Sequence, residues 1–187
     1  GRRDAAQVYA NGLMALVSAL LYAFNPSLPF LVMFGSAVGE AASDTFASEV
    51  GILSKTKPVS IITGRPMKAG LSGAVSPLGL ASGLVGAVLI ALCMWGCFLP
   101  ITGKSALAAS VIALSSFFGC LLDSVLGATV QAHYYDEVND RITERPVVDG
   151  RVLPLERGLR WVDNDVVNLV SNVVSAILGM SLALIIT

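Results

Sequence analysis

Five long apolar runs organise the chain, set apart by two short breaks and two long polar segments. Each run is close to or longer than the ~20 residues an α-helix needs to cross a bilayer. The pattern predicts helices over about 5–24, 30–50, 75–99, 105–133 and 161–186. The prolines of Asn25-Pro26-Ser27-Leu28-Pro29 mark the first break, and a tight turn over 100–104 marks the third. Residues 51–74 read as a polar, Gly-rich loop, and 134–160 as a second polar stretch. In that stretch Asp149-Gly150 lies between two β-prone runs, 142–148 and 151–155, which signals a hairpin. Pro146 and Pro154 limit it to a short, exposed ribbon. The expected architecture is all-α: a polytopic membrane helix bundle of about five transmembrane helices, forming one membrane-embedded domain over 1–187. The 134–160 segment is expected as a small extramembrane loop or hairpin, not a second domain.

Composition supports the membrane reading. Of 187 residues, 55% are hydrophobic and only 13% charged, where soluble domains carry about 25% charged residues. The 18 glycines suit close-packed membrane helices, and Gly35-x-x-x-Gly39 and Gly79-x-x-x-Gly83 read as small-residue packing faces. Disorder, a collagen repeat and a disulfide scaffold are excluded. Cys93, Cys97 and Cys120 lie within apolar runs without the N/S partners of a zinc site, so they read as packing residues. No secretory signal peptide or internal repeat stands out.

The net charge of −1 hides a strong asymmetry. An alternating five-helix path puts Arg2, Arg3, Lys55, Lys57, Arg65, Lys68, Arg141, Arg145, Arg151, Arg157 and Arg160 on one side and Lys104 alone on the other. The positive-inside rule then predicts a cytoplasmic N-terminus for this chain and an outside C-terminus.

Carboxylates inside membrane helices are costly and usually functional. Glu40 and Asp44 are spaced i, i+4 on one face of the second helix, with Ser48 continuing it and Glu49 roughly opposite. In the fourth helix, Ser116, Asp123, Gly127 and Gln131 are expected to form one polar face. The fifth opens with Asp163-Asn164-Asp165, and Asn164, Asn168, Ser171 and Ser175 recur at helical spacing. All these acids fall toward the same predicted end, where both polar loops lie. That describes a site at the cytoplasmic interface where acids hold divalent cations and bases hold phosphates.

Residues 63–73, Thr-Gly-Arg-Pro-Met-Lys-Ala-Gly-Leu-Ser-Gly, combine glycines, hydroxyls and the bases Arg65 and Lys68. Backbone N–H groups of such a loop can approach phosphate, although a solvated positive-inside loop explains the two bases equally well. Thr102-Gly103-Lys104-Ser105 imitates the end of a P-loop, but Phe98 stands at the required first glycine, and the segment falls on the opposite side. His133, beside Tyr134 and Tyr135, is expected to end the fourth helix in an interfacial aromatic belt.

Five blocks in order carry a family resemblance. They are Gly1-Arg2-Arg3-Asp4-Ala-Ala-Gln7-Val8-x-Ala10-Asn11-Gly12, then Ser43-Asp44-Thr45-x-Ala47-Ser48-Glu49-x-Gly51, then the Gly70–Gly79 stretch Gly-x-Ser-Gly-x-Val-Ser-x-x-Gly. The last two are Leu122-Asp123-Ser124-x-Leu126-Gly127-Ala128-Thr129-x-Gln131 and Asp163-Asn164-Asp165-x-Val167-Asn168. Together they resemble the integral-membrane family that includes plant phytyl-phosphate kinase and many uncharacterised archaeal, bacterial and animal relatives. That family usually has further membrane helices before the first block, so the resemblance implies helices preceding Gly1. Some relatives carry Cys pairs in the segment that here reads Tyr135-Asp136-Glu137-Val138-Asn139, so a metal knuckle is not expected there.

The resemblance implies a kinase that adds a second phosphate to a prenyl monophosphate, at a membrane lipid interface and without nucleic acid. The acceptor phosphate is largely dianionic near neutral pH, its second pKa being about 6, so it needs little help from a general base. Charge neutralisation and positioning matter more, commonly with Mg²⁺ and a nucleoside triphosphate donor, CTP or ATP. On this reading Asp44, Asp123, Glu40 and Asp165 are the metal ligands, and Asp44, Asp123 and Arg3 carry catalysis. Arg65, Lys68, Gly70, Ser72, Gly73 and Asn168 form the nucleotide site, with Arg3, Arg65 and Lys68 on phosphate. Two other readings stay open: another lipid-phosphate or nucleotidyl transferase, and an ion or metabolite transporter. A transporter calls for a polar path to the outer face, and the outer halves of these helices are apolar. Oligomeric state is not legible in the sequence.

Overall fold

The computed structural model describes residues 5–99 and 103–186. Five helices dominate it: α1 (Ala5–Phe24), α2 (Leu28–Gly51), α3 (Pro77–Cys97), α4 (Gly103–Thr129) and α5 (Asn164–Ile186). Four of them, α1, α3, α4 and α5, are long and apolar enough to cross a membrane. The remaining helix, α2, is just as long, but its second half carries Glu40, Asp44 and Glu49. Its position accounts for that polarity: α2 is the central helix and packs against all the others. Around it, α1 packs on α5, α5 on α4, and α4 on α3. Leu84, Leu92, Leu114, Phe118 and Ile177 point outward from this ring, as lipid-facing side chains do.

Local chemistry sets the helix starts. Ser76 caps α3, its Oγ accepting from Gly79 N–H at 3.1 Å, and Pro77 supplies a first-turn φ suited to the helix. Asp163 Oδ1 accepts from Val166 N–H at 3.0 Å and starts α5 at Asn164, three residues later than the apolar run suggests.

The fourth helix ends earlier than the sequence pattern predicts. Val130 and Gln131 both direct their N–H groups to Leu126 O and close the helix. Gln131 then bridges to Leu159, and Ala132 N–H donates to Val162 O. Gln131 therefore does not extend the α4 polar face; its side-chain amide is buried without a hydrogen-bond partner among the described residues. His133 lies not on a helix in an aromatic belt but at the start of a strand, fully buried. The β-prone His-Tyr-Tyr sequence and its strand partners outweigh the helical periodicity here.

Both polar segments are more ordered than loops. Residues 58–76 contain the antiparallel pair β1 (Val59–Ser60) and β2 (Ala74–Val75). Residues 133–157 hold β3 (His133–Asp136), β4 (Arg141–Thr143), β5 (Val147–Val148), β6 (Arg151–Val152) and β7 (Leu155–Arg157). β4, β3 and β7 form one sheet, and β5 and β6 form the expected hairpin. Its turn is Asp149-Gly150, both at positive φ, the geometry of a tight two-residue connection.

The two ends of the bundle are held differently. At the end joined by residues 25–27 and near 98, an apolar cluster of Val32, Ala91, Met94, Ile112 and Ala183 fills the core. Toward the other end, glycines and hydroxyls take over. Ser36 Oγ meets Ser115 Oγ at 2.7 Å, and Ser175 Oγ donates to Ser115 O at 2.9 Å. A β-carbon on Gly83 or Gly86 of α3 would press to within 3.0–3.4 Å of α2, so these glycines set the close α2–α3 approach.

Candidate functional site

Both extramembrane segments meet over the same end of the bundle. The Ser72-Gly73 turn rests directly on α4, where a β-carbon on Gly73 would lie 2.5 Å from Ala128 Cβ and one on Gly127 would lie 2.7 Å from Ser72 Cβ. Gly73 also holds φ +84°, which excludes other residues on backbone grounds. From the sheet, Glu144 reaches this loop and accepts from Ser72 N–H at 2.6 Å. Beneath lies a cavity of about 300 Å³. Its walls include Gly70, Ser72 and Gly73 from the loop, Asp44 and Ser48 from α2, Asp123 and Ser124 from α4, Asn164 from α5, and Glu144.

A second cavity, about 420 Å³, flanks α2 on the side of α1 and α5. Gln7, Asn11, Thr45, Glu49 and Asn168 line it, and Asp44, Ser48 and Asn164 belong to its wall as well. Asp44 thus borders both spaces. Among the described residues, no hydrogen bond or ion pair engages its carboxylate.

The neighbouring acids are tied into the protein. Glu40 is 1% exposed and lines neither cavity. Asn172 Nδ2 donates to its Oε2 at 2.7 Å, and Ser171 Oγ lies 2.8 Å from its Oε1. The same Ser171 Oγ is 3.3 Å from Asp123 Oδ2, so one hydroxyl proton serves either carboxylate. With its amide oriented to satisfy both ends, Asn168 Nδ2 donates to Asp123 Oδ2 at 2.9 Å and its oxygen accepts from Asn164 Nδ2 at 3.2 Å. A hydrogen-bonded seam therefore runs from Asn164 through Asn168, Asp123, Ser171 and Glu40 to Asn172. Hydroxyls continue the polar seam to mid-bundle, where it ends against the apolar cluster.

Of the residues singled out in the sequence, Asp44, Asp123, Gly70, Ser72 and Gly73 come together on one cavity. Asn168 holds Asp123 and lines the second cavity. Glu40 stands behind them, and Asp165 sits half-buried in the first turn of α5, on neither cavity wall. Arg65 and Lys68 are exposed and line neither cavity; Arg65 O accepts from Ser60 N–H and holds the turn before the glycine loop. Arg3 lies outside the described residues, as do Arg2 and Asp4. Sequence reasoning missed Glu144, because nothing in Thr143-Glu144-Arg145 announces a fold-back onto a loop 72 positions earlier. Asn164 was visible only as one member of a helical stripe.

Behind Glu144 stands a small buried charge network. His133 Nδ1 meets Gln131 O at 3.0 Å, while its Nε2 is 3.4 Å from Arg157 Nη2 and 3.9 Å from Glu144 Oε1. Burial pushes the His133 pKa below its ordinary value of 6.5, and the Arg157 charge adds to this against the opposing pull of the Gln131 carbonyl and Glu144. Arg157 Nη1 also donates to Ala128 O at 2.9 Å, fastening the sheet to the end of α4. Farther out, the hydrogen bond from Asn139 holds the Asp136 carboxyl below its usual range, helped by Arg151 and Arg141.

The chain is similar to proteins from three kinds of organism. It is 30% identical over 156 residues to Protein PGR of Arabidopsis thaliana, covering 78% of this chain and 53% of that protein. It is 40% identical over 92 residues to an uncharacterized membrane protein of Methanocaldococcus jannaschii, covering 48% and 37%. It is 31% identical over 134 residues to an uncharacterized membrane protein of Synechocystis, covering 70% and 50%. The chain thus spans about half the length of the curated relatives it matches, or less. No solved structure matches it. The integral membrane protein family DUF92 matches over residues 1–176, a span that contains all five sequence blocks. On that match the chain belongs to the DUF92 family of integral membrane proteins.

Proposed function

We propose that this chain is the catalytic core of a prenyl-phosphate kinase, which transfers a phosphoryl group from a nucleoside triphosphate to an isoprenoid monophosphate. The observation that carries the reading is Asp44: a carboxylate without partners among the described residues, lining one cavity with Asp123 and a glycine loop at the polar end of a membrane bundle. An acceptor phosphate oxygen bonds to the γ-phosphorus as the bond to the β,γ-bridging oxygen breaks, releasing the nucleoside diphosphate. The acceptor is already largely dianionic, with a second pKa of about 6, so no strong base is required. Positioning and charge neutralisation carry the rate.

The residues fit Mg²⁺. That ion typically takes one or two carboxylates and completes its octahedron with water and substrate phosphate oxygens. Asp44 and Asp123 supply that number. Among the described residues no three His, Cys, Asp or Glu side chains converge to hold a cation unaided, so water and substrate phosphate oxygens would have to complete the shell. Bound there, Mg²⁺ supplies neutralising charge between phosphates. The loop contributes backbone N–H groups, and the N-terminal turn of α3, capped by Ser76, lies on the same cavity and favours anions. Asn168 and Ser171 orient Asp123. Glu40 then acts from behind, as the acid that fixes Ser171, and Arg65, Lys68 and Arg3 as bases that attract the phosphates. The positive-inside bias supports a cytoplasmic position for this end, where nucleotides are.

The test is an assay of purified protein with a prenyl monophosphate, Mg²⁺ and ATP, CTP, GTP and UTP in turn. Formation of the prenyl diphosphate with release of nucleoside diphosphate is expected. A nucleotidyl adduct with release of pyrophosphate would point to the transferase alternative, and no product from any donor would remove the reading.

A further inference from the structure

Phosphoryl transfer between two substrates requires two binding spaces that meet where the bond forms. Two cavities share a wall here, and that wall is Asp44, Ser48 and Asn164. Their surroundings differ in a way that separates a water-soluble ligand from a lipid.

The cavity under the glycine loop is closed on its lipid side. The start of α3 seals it against α2, since a β-carbon on Gly51 would lie 3.2 Å from Gly79 Cα and one on Gly79 would lie 3.0 Å from Ala47 O. The Ser72-Gly73 turn seals it against α4, and Glu144 stands on its extramembrane side. What reaches it comes from water.

The second cavity is placed otherwise. α1 packs on α2 and α5, whereas α3 packs on α2 and α4. The α2 face between α1 and α3 bears Ala42, Thr45, Phe46 and Glu49, all on the cavity wall. Phe46 is 38% exposed there, and Val8 and Tyr9, next to the cavity-lining Gln7, are 61% and 66% exposed on α1. An apolar flank thus borders a space whose inner wall is amide and hydroxyl: Gln7, Asn11, Thr45, Ser48, Asn164 and Asn168. Such a wall suits a polar headgroup whose tail lies along the bundle in lipid. The first turn of α5 contributes to it, and its N-terminal dipole favours a negative group. Glu49 is exposed, so solvent screens it.

We propose that the cavity between α1, α2 and α5 is the acceptor subsite, taking the phosphate head of a single-chain isoprenoid monophosphate whose tail leaves past Phe46. The glycine-loop cavity takes the nucleoside triphosphate, and Asp44, Ser48 and Asn164 form the partition at which the two phosphates meet. This assignment rests on the kinase reading for the chemistry of its ligands. It fixes the direction of transfer: the acceptor oxygen enters from the α1 side, bonds to the γ-phosphorus, and the nucleoside diphosphate departs into the glycine-loop cavity.

The experiment measures binding, not turnover. Full-chain protein in nanodiscs is titrated with farnesyl monophosphate and, separately, with ATP or CTP, in the presence of Mg²⁺. Ala41→Phe fills the second cavity without removing a polar group, and Ala69→Phe crowds the first. Ala41→Phe is expected to weaken farnesyl monophosphate binding by about tenfold or more and leave the nucleotide nearly unchanged, with Ala69→Phe doing the reverse. Circular dichroism and size-exclusion profiles check the fold of each variant. As an independent arm, farnesyl monophosphate bearing a photoreactive tail should label residues 41–49 and 7–11 in the wild-type protein, unaffected by ATP. Labelling confined to the glycine-loop side, or a lipid affinity that Ala41→Phe leaves untouched, overturns the assignment. If the binding pattern holds while no donor yields a diphosphate, the subsites stand and the kinase reading falls.

Discussion

Glu40 and Asp44 lie one turn apart on the same face of α2, yet they live in different chemistry. Glu40 is enclosed, with Asn172 and Ser171 on its two oxygens and Gly119 of α4 leaving room for its stem. Asp44 has open space on either side and, among the described residues, no protein group on its carboxylate. An acid whose hydrogen bonds are supplied by neighbouring helices holds those helices in register. An acid whose hydrogen bonds are unmade at a cavity wall is held ready for something that is not protein. On the proposed reading the difference separates a structural from a chemical carboxylate within five residues, and each substitution at this end of the bundle is a test of it.

The largest effect belongs to the two helix carboxylates on the glycine-loop cavity wall. Asp44→Asn and Asp123→Asn remove charge where phosphates and Mg²⁺ are proposed to meet, and each should lower turnover by about 10²–10³ or more. Thermal stability should hold for Asp44→Asn, since no side-chain hydrogen bond to the described residues is lost. Steady-state kinetics beside a melting curve checks both. Near wild-type rates in both variants would place the chemistry elsewhere.

Gly119→Val strikes the enclosed carboxylate from the other side. A β-carbon there would come within 2.5 Å of Glu40 Cγ and 2.8 Å of Ser175 Cβ. Overpacking of this kind costs about 1–3 kcal/mol. It should show as a lower melting temperature, together with weaker activity as α4 and Asp123 shift. A variant as stable and active as the parent would mean that α2 and α4 are not closely locked at this level.

How much of this was legible beforehand follows from periodicity. Asp44 and Asp123 stood out because a charge in an apolar helix is rare and expensive, and the glycine loop because of its residue types. The helices followed from their apolar runs, and the Asp149-Gly150 turn from its backbone requirements. Spacing alone could not separate Glu40 from Asp44. Both occupy one stripe, and which one meets a cavity depends on Asn172 and Ser171 arriving from α5 more than 120 residues later. Gln131 and His133 were misplaced for a related reason: helical spacing continued through them while tertiary pairing to Leu159 and Arg157 drew the chain into a strand. Glu144 had no local signal, because its role is defined by the loop it reaches.

A finer cut separates charge from shape at Glu40. In Glu40→Gln the amide oxygen can still accept from Asn172, while its nitrogen donates to Ser171 Oγ and the serine proton turns to Asp123 Oδ2 or Asn168 O. The cost should stay under about 1 kcal/mol, whereas Glu40→Leu strands Asn172 and Ser171 and should cost about 1–3 kcal/mol. Denaturation in matched detergent measures the pair. A Glu40→Gln variant as damaged as Glu40→Leu would show that the negative charge itself is required at this buried position.

The smallest effect lies in the sheet that holds Glu144 over the open cavity. His133 is buried with its pKa depressed below 6.5 by desolvation and by Arg157, so the folded protein keeps it neutral. The unfolded chain takes up a proton more readily, and stability must therefore fall as pH drops through the unfolded value near 6.5 toward the lower folded one. Above that window the histidine contributes no pH dependence. His133→Phe lacks the titration, so its melting temperature should change less between pH 7.5 and 5.5 than that of the parent. Because Glu144 is the link from this sheet to Ser72, the nucleotide KM of the parent should rise over the same interval and that of Glu144→Ala should not. Parallel pH profiles in parent and His133→Phe would mean that the sheet is not anchored through this histidine and that the glycine loop keeps its place over Asp44 without it.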